Sequence, residues 1–335
     1  TLSARAAVEA SPVVTGLASP GRNLSAPDIL AGETRLAMVD LPVFDTSDPG
    51  KPQIAIFATG TESGWKRAAL SLQTEAGLVE IGSTALPAAM GTAITLLPPH
   101  NPLLVDETSE LEVQLFNDGV EIAELACSPL SLEAPYFWLQ GEFIRCGNIE
   151  ALGSGHYRFS HFQRGCFSSD AAIYGHLSGD AFILLERDTA RLMVEREFVS
   201  GDLVAAQALG LGDIAAVSAT TAVTARSTTP LASVHGSAKR VEDGSIAISW
   251  IRRSRIDAGW RDGIDQMLVE DAERYKVALL VDGVAVAEWL TNIGSLWISS
   301  AEYAALPIAP GTEPVFAIRQ IGRHAQSDPR YINIS

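Results

Sequence analysis

The sequence predicts a mainly β, multi-domain chain of antiparallel sandwich and barrel modules. Three observations carry this. Short apolar runs with period-two alternation recur along the chain, as in Ile246-Ala247-Ile248-Ser249-Trp250 and Tyr275-Lys276-Val277-Ala278-Leu279. Gly (28) and Pro (17) punctuate those runs, the mark of many turns. Helical periodicity is confined to two short stretches, Asp265 to Glu273 and Ser300 to Leu306.

Residues 1–34 carry no strong period and are broken at Ser11-Pro12, Ser19-Pro20-Gly21 and Ala26-Pro27, which predicts an extended arm. The start at Thr1, without an apolar leader, predicts a piece of a longer or processed protein. From Leu36, expected strands follow at Ile54–Ala58, which is continuously apolar, Gly64–Leu72, Leu78–Ile81, Ala93–Leu97 and Leu111–Leu115. Asn117-Asp118-Gly119 after the last of these is a hairpin signal. Phe137–Leu139 and Phe143–Cys146 form a predicted hairpin around Gln140-Gly141-Glu142. Tyr157–Phe162 is a predicted strand with Tyr157, Phe159 and His161 on one side, followed by strands at Ala181–Leu185 and Leu192–Val194. Residues 218–233, rich in Thr, Ser and Ala, read as a linker or edge strand. Beyond them, strands at 246–252, 275–281, 284–290, 296–299, 315–321 and 331–334, with a two-residue turn at Asp282-Gly283, fit a sandwich of the fibronectin type III sort. Trp250 and Tyr275 fill its core on the alternation argument. The expected divisions are an arm (1–34), two β-rich regions that can form one unit (35–128 and 129–232), and the sandwich (233–335).

Composition narrows the function. At 335 residues and 47% hydrophobic content, burying a core is no difficulty. A formal net charge of −16 argues against nucleic acid as a partner, because phosphate binding needs a basic face. No run of about eighteen apolar residues is present to cross a membrane as a helix. Cys127, Cys146 and Cys166 are too few and too widely spaced for a disulfide framework or a CxxC metal site, and read as buried thiols.

Four segments in order then resemble one family: Glu142-Phe143-Ile144-Arg145, Gly153-Ser154-Gly155-His156-Tyr157-Arg158-Phe159, Gln163-Arg164-Gly165 and Gly179-Asp180-Ala181-Phe182-Ile183-Leu184-Leu185. They resemble the C-terminal region of tail-tip hub proteins from alphaproteobacterial gene transfer agents and related siphophages. Ile248–Arg255 with Glu273–Val277 resembles the module that follows, and Leu41-Pro42 the entry to the preceding region. The family's Arg-Gly, two residues, Gly-Thr appears here as Arg164-Gly165-Cys166-Phe167-Ser168-Ser169, so the Gly-Thr turn is expected to be remodelled. The barrel that such proteins carry upstream, similar to glycoside hydrolases, has no counterpart in this chain. The resemblance implies a β-rich distal segment of a tail tip, made in the bacterial cytoplasm and carried on the particle's tail. It also implies a trimer in the particle, contacts with other tail-tip proteins, and a role in structure or host attachment.

Catalytic motifs are sparse. Glu270, Asp271 and Glu273, and Asp257, Asp262 and Asp265, are the candidate carboxylate clusters, and both read as solvated charge beside arginines. The loop from Asp257 to Asp265 lacks the ligand alternation of a calcium loop. The six His form neither HxH nor HExxH, and GxSxG, P-loop and GxGxxG motifs are missing. The expectation is a non-enzymatic chain without cofactor or metal. The other classes are a carbohydrate-binding module using exposed aromatics and a cell-wall hydrolase fragment. Trp65, Tyr136, Trp138, Trp260, Trp289 and Trp297 are the candidate stacking rings for a host glycan, with Trp260, in a polar loop, the first choice. Arg252, Arg253 and Arg255 are the basic cluster, with Arg253 and Arg255 expected on one strand face and Arg252 on the other, pairing with Glu270 or Glu273 or with an adjacent subunit, or contacting a phosphate or lipopolysaccharide.

Overall fold

A computed structural model describes residues 29–44, 50–194, 197–255 and 268–335. The arm expected at 1–34 therefore lies almost wholly outside the described residues.

The first segment forms β1 (Thr34–Leu41), β2 (Gln53–Gly60), β3 (Ala68–Thr74) and β4 (Gly77–Ser83). The continuous apolar run at Ile54–Ala58 has a physical reason: β2 is buried at every position. Ile54, Ile56 and Ala58 face one core with Leu70, Leu72, Val204, Ala206 and Ala208. Ala55 and Phe57 face a second core with Met90, Phe143, Ile183 and Leu185.

The chain then builds a barrel from β5 (Met90–Ala93), β6 (Val105–Leu115), β7 (Leu125–Ala126), β8 (Tyr136–Leu139), β9 (Glu142–Gly153), β10 (His156–Cys166) and β11 (Ala181–Leu184). Pairing runs β10-β6-β5-β11-β8-β9 and closes between β9 and β10, a six-strand ring with β7 added on β9. Residue 128 lies between β7 and β8 of this one sheet, so the regions expected at 35–128 and 129–232 share a barrel. Its interior is aromatic. Phe137 sits 5.5 Å from Phe159 and 5.2 Å from Phe182, ring centre to ring centre, in tilted geometries that suit the ring quadrupoles.

The return segment supplies β12 (Arg191–Leu192), β13 (Leu203–Gly210) and β14 (Val217–Ala222). β12 joins β1 and β2, while β13 and β14 extend the β3–β4 sheet. The two sheets pack over the first core, and the barrel is inserted between β4 and β12.

The C-terminal module holds β15 (Val234–Arg240), β16 (Ile246–Ile251), β17 (Tyr275–Val281), β18 (Val284–Thr291), β19 (Ser295–Ile298), α1 (Ser300–Ala304), β20 (Val315–Gln320) and β21 (Arg330–Asn333). A three-strand sheet, β15-β16-β19, faces a four-strand sheet, β18-β17-β20-β21. This is the strand arrangement of a fibronectin type III-like sandwich, and the described residues are mainly β. Trp250 and Tyr275 meet edge to face at 5.1 Å in its core, as their alternation predicts.

Several local expectations differ from the structure. Asn117-Asp118-Gly119 makes no hairpin: Asn117 Oδ1 accepts from Gly119 N and its Nδ2 donates to Glu62 O, tying the loop to the neighbouring sandwich. His161 does not share a face with Phe159. It has φ +57 at a bulge where the β10–β6 register shifts, which turns it outward and gives the inward position to Phe162. The strand expected at Ala93–Leu97 ends at Ala93, the one at Gly64–Leu72 begins at Ala68, and β13 was not anticipated. Of the helix expected at Asp265–Glu273, residues 268–273 are not helical and the rest lies outside the described residues.

Because Phe57 closes the face of β2 against the barrel, Phe57→Ala removes contacts on which both units depend. Urea unfolding is expected to show a loss of about 3–5 kcal/mol. Wild type should melt at a single midpoint, and in Phe57→Ala the barrel and the two-sheet sandwich should melt at separate midpoints.

Candidate functional site

Three of the four resemblance segments meet at one end of the barrel, in a buried ionic network. Glu142 opens β9, Arg164 lies near the end of β10, and Asp180 immediately precedes β11. Arg164 is fully buried. Its Nε donates to Glu142 Oε1 and its Nη2 to Glu142 Oε2, both at 2.9 Å, a two-pronged pair. Its Nη1 donates to Pro98 O at 3.0 Å and reaches Asp106 Oδ2 at 3.4 Å. Asp106 Oδ1 in turn accepts from Thr108 N and Ser109 N. Glu142 Oε1 also accepts from Gly165 N at 2.8 Å. Gly165 has φ +61, and a Cβ there would lie 2.7 Å from Asp170 Oδ1 and 3.2 Å from Asp170 Cα, so any side chain at this position would be strained.

His176 completes the network. Its Nε2 lies 2.6 Å from Glu142 Oε2 and its Nδ1 lies 2.9 Å from Asp180 Oδ2. A neutral imidazole has one N–H, so donating to both carboxylates requires the imidazolium. Burial works against that charge, but the hydrogen bonds to Glu142 and Asp180 outweigh it and raise the His176 pKa. Burial likewise works against the Glu142 carboxylate, and the bonds from His176 and Arg164 win, holding its pKa below the ordinary value. Two cations and three carboxylates are thus paired with one another out of water, with one negative charge in excess. The groups of a Glu–His–Asp relay are present, but the polar atoms of Glu142, Arg164 and His176 are turned to other side chains and to the backbone of Pro98 and Gly165, so the network acts as a pin. Sequence motifs exposed Glu142, Arg164 and Asp180; His176 and Asp106 carry no motif and were missed as network members.

The predicted basic cluster sits elsewhere. β16 ends at Ile251, so Arg252, Arg253 and Arg255 are not on a strand and do not alternate between faces. Arg255 turns inward, donating from Nε to Glu270 Oε1 at 2.8 Å and from Nη1 to Ser227 O at 2.6 Å. Arg252 Nε lies 3.9 Å from Glu273 Oε2. Arg253 Nε donates to Ala232 O at 2.8 Å and Nη2 approaches Ser168 Oγ at 3.4 Å. Burial lowers the Arg253 pKa. Arg253 and Arg255 stitch the C-terminal sandwich to the unit before it.

The stitch uses the turn where this chain departs from the family pattern. Phe167 and Ser168 both take positive φ, +56 and +59. Phe167 O accepts from Arg226 Nη1, and Ser168 Oγ accepts from Ala232 N. Two such non-glycine residues cost about 1–2 kcal/mol each, which these bonds offset.

Trp260, Asp257, Asp262 and Asp265 lie outside the described residues. Trp65 is buried and donates from Nε1 to Thr34 Oγ1. Trp297 is exposed, whereas Trp289 and Trp138 are half-buried. Cys146 and Cys166 are free, buried thiols, each pushed up to about 12 by burial. Among the described residues no cluster of His, Cys, Asp and Glu could hold a metal, and no helix is long and apolar enough to cross a membrane.

The six-strand barrel coincides with a recognised domain. Residues 88–183, less than a third of the chain, match the family model described as "Rcc01698-like, C-terminal". Rcc01698 is a protein of the gene transfer agent region of Rhodobacter capsulatus, so the match relates the barrel to gene transfer agents. No curated protein matches the chain. Among solved structures, the rat CD45 extracellular region, domains d3-d4, is 12% identical with TM-score 0.25, over 44% of this chain and 71% of that one. Chicken CNTN1 domains FN1-FN3 are 9% identical with TM-score 0.23, over 91% and 98%. A two-domain fibronectin type III segment of chicken tenascin is 10% identical with TM-score 0.23, over 72% and 97%.

Two outcomes are expected. The Glu142 contribution is complete above the ordinary value of 4.5 and fades as pH falls through its lowered folded pKa. The His176 contribution is complete below 6.5 and fades as pH rises through its raised folded pKa. The stability difference between wild type and His176→Asn should therefore be about 2–3 kcal/mol near pH 5–6 and shrink as pH rises above 6.5 through the raised folded pKa. A difference constant with pH would contradict a charged His176. Arg253→Ala should speed protease cleavage between residues 223 and 233, while the near-ultraviolet signal of Trp250 and Tyr275 stays unchanged.

Proposed function

We propose that the chain is a non-enzymatic distal segment of a tail-tip hub protein, from a gene transfer agent or a related siphophage, with a structural and host-attachment role. The match of residues 88–183 to the Rcc01698-like family carries this reading. The order of motifs around Glu142, Arg164 and Asp180 supports it, because those residues hold the matched barrel together.

In this reading the pinned barrel and the shared β2 form a stiff base. The junction through Arg253, Arg255 and Ser168 holds the fibronectin-like sandwich as an arm on that base. Partners are other tail-tip proteins and further copies of the chain, a trimer in the particle, with a surface glycan of the host as the target. A gold-labelled antibody against residues 233–335 is expected to mark the far end of particle tails in electron micrographs, and the purified chain should leave peptidoglycan intact. Label on capsids, or release of soluble muropeptides, would sink the proposal.

A further inference from the structure

The outer face of the β15-β16-β19 sheet carries an arrangement that the core does not require. Register aligns Lys239, Ala247 and Trp297 across the three strands, and Ser237, Ser249 and Ser295 in the next row on the same face. The alternate residues, Ala238, Ile248 and Ile298 among them, point inward to the core. Trp297 is 57% exposed on this open face, a large ring left in water where a polar residue would serve the fold equally well. Ala247 is the smallest side chain of its row. With neighbouring strands about 4.8 Å apart, Trp297 and Lys239 flank it as two walls of a shallow trough.

We propose that this face is a glycan-binding platform, with Trp297 stacking on a pyranose ring and Lys239 and the serine row hydrogen-bonding its hydroxyl or carboxylate groups. This rests on the attachment part of the function proposed above and gives it a site. The apolar face of a pyranose matches an indole ring, and its rim of hydroxyls needs donors and acceptors beside that ring. Three serine hydroxyls one row away supply them, about 7 Å along the strands. A protein-binding hot spot would instead surround the ring with further apolar and aromatic side chains. Lys239 adds a cation on a chain of net charge −16, which suits neutral or uronate-bearing sugars over densely phosphorylated ones.

The test is binding of the full chain to an array of purified bacterial capsule and lipopolysaccharide O-chain glycans, neutral and uronate-bearing. Trp297→Ala and, as a control, Leu290→Ala are run in parallel. Leu290, 75% exposed, lies on the opposite sheet. Wild type and Leu290→Ala should bind, and Trp297→Ala should bind at least about tenfold more weakly with an unchanged melting temperature. If Lys239 contacts a uronate, raised salt should weaken the uronate arm only. Undiminished binding by Trp297→Ala, or no binding by wild type to any arrayed glycan, overturns the platform. Self-association in the ultracentrifuge that Trp297→Ala abolishes would also overturn it, making this face a contact between copies. Tail labelling reports separately on the function proposed above: labelled tails without glycan binding sink only the platform, and glycan binding without labelled tails sinks only the tail-tip reading.

Discussion

A strand buried on both faces has to be apolar at every position and hydrogen-bonded along its length. β2 meets both demands, and the arrangement of residues 34–223 depends on it. Its odd and even side chains belong to different cores, so neither the two-sheet sandwich nor the barrel can slide without exposing one of them. A one-residue slip would exchange the two sets, placing Phe57 where the small-residue core of Ala206 and Ala208 has no room for it. The barrel and the sandwich are therefore one mechanical body joined chiefly through β2, with Val39 and Leu41 of β1 packed into the same second core.

The buried ionic network constrains the barrel in a different way. Apolar contacts among Phe137, Phe159, Phe162 and Phe182 are non-directional and would tolerate small rotations of the strands. The fork of Arg164 on Glu142, with His176 between two carboxylates, tolerates none, because any displacement leaves a charge unpaired out of water. The network fixes the strand ends, while the aromatic interior supplies most of the stabilisation.

Much of this was legible in the residues. Alternation located β16 and β17 and placed Trp250 and Tyr275 in one core, because a two-sided strand with one wet face writes its orientation directly into the sequence. The continuous run at Ile54–Ala58 announced burial on both faces but not which two units shared it. Glu142, Arg164 and Asp180 stood out by motif, yet His176 did not, since its role comes from a turn that folds back across the end of the barrel. Alternation failed at His161, where a bulge with φ +57 resets the phase, and at the arginines after Ile251, where the strand had already ended. β13 was hidden by its alanines, small enough to pack closely but too weakly apolar to show a period.

The insertion of the barrel between β4 and β12 has a consequence for how the chain acquires its shape during synthesis. β1 to β4 leave the ribosome first, yet their sheets are completed only by β12, β13 and β14, which emerge after the whole barrel. Until then the β13-facing edge of β3 and the β12-facing edge of β2 stand open. The barrel, whose strands are contiguous in sequence, can close on its own schedule and offer Phe143 and Ile183 to one face of β2. The late strands then seal the other, making the first-synthesised part of this body the last to finish folding.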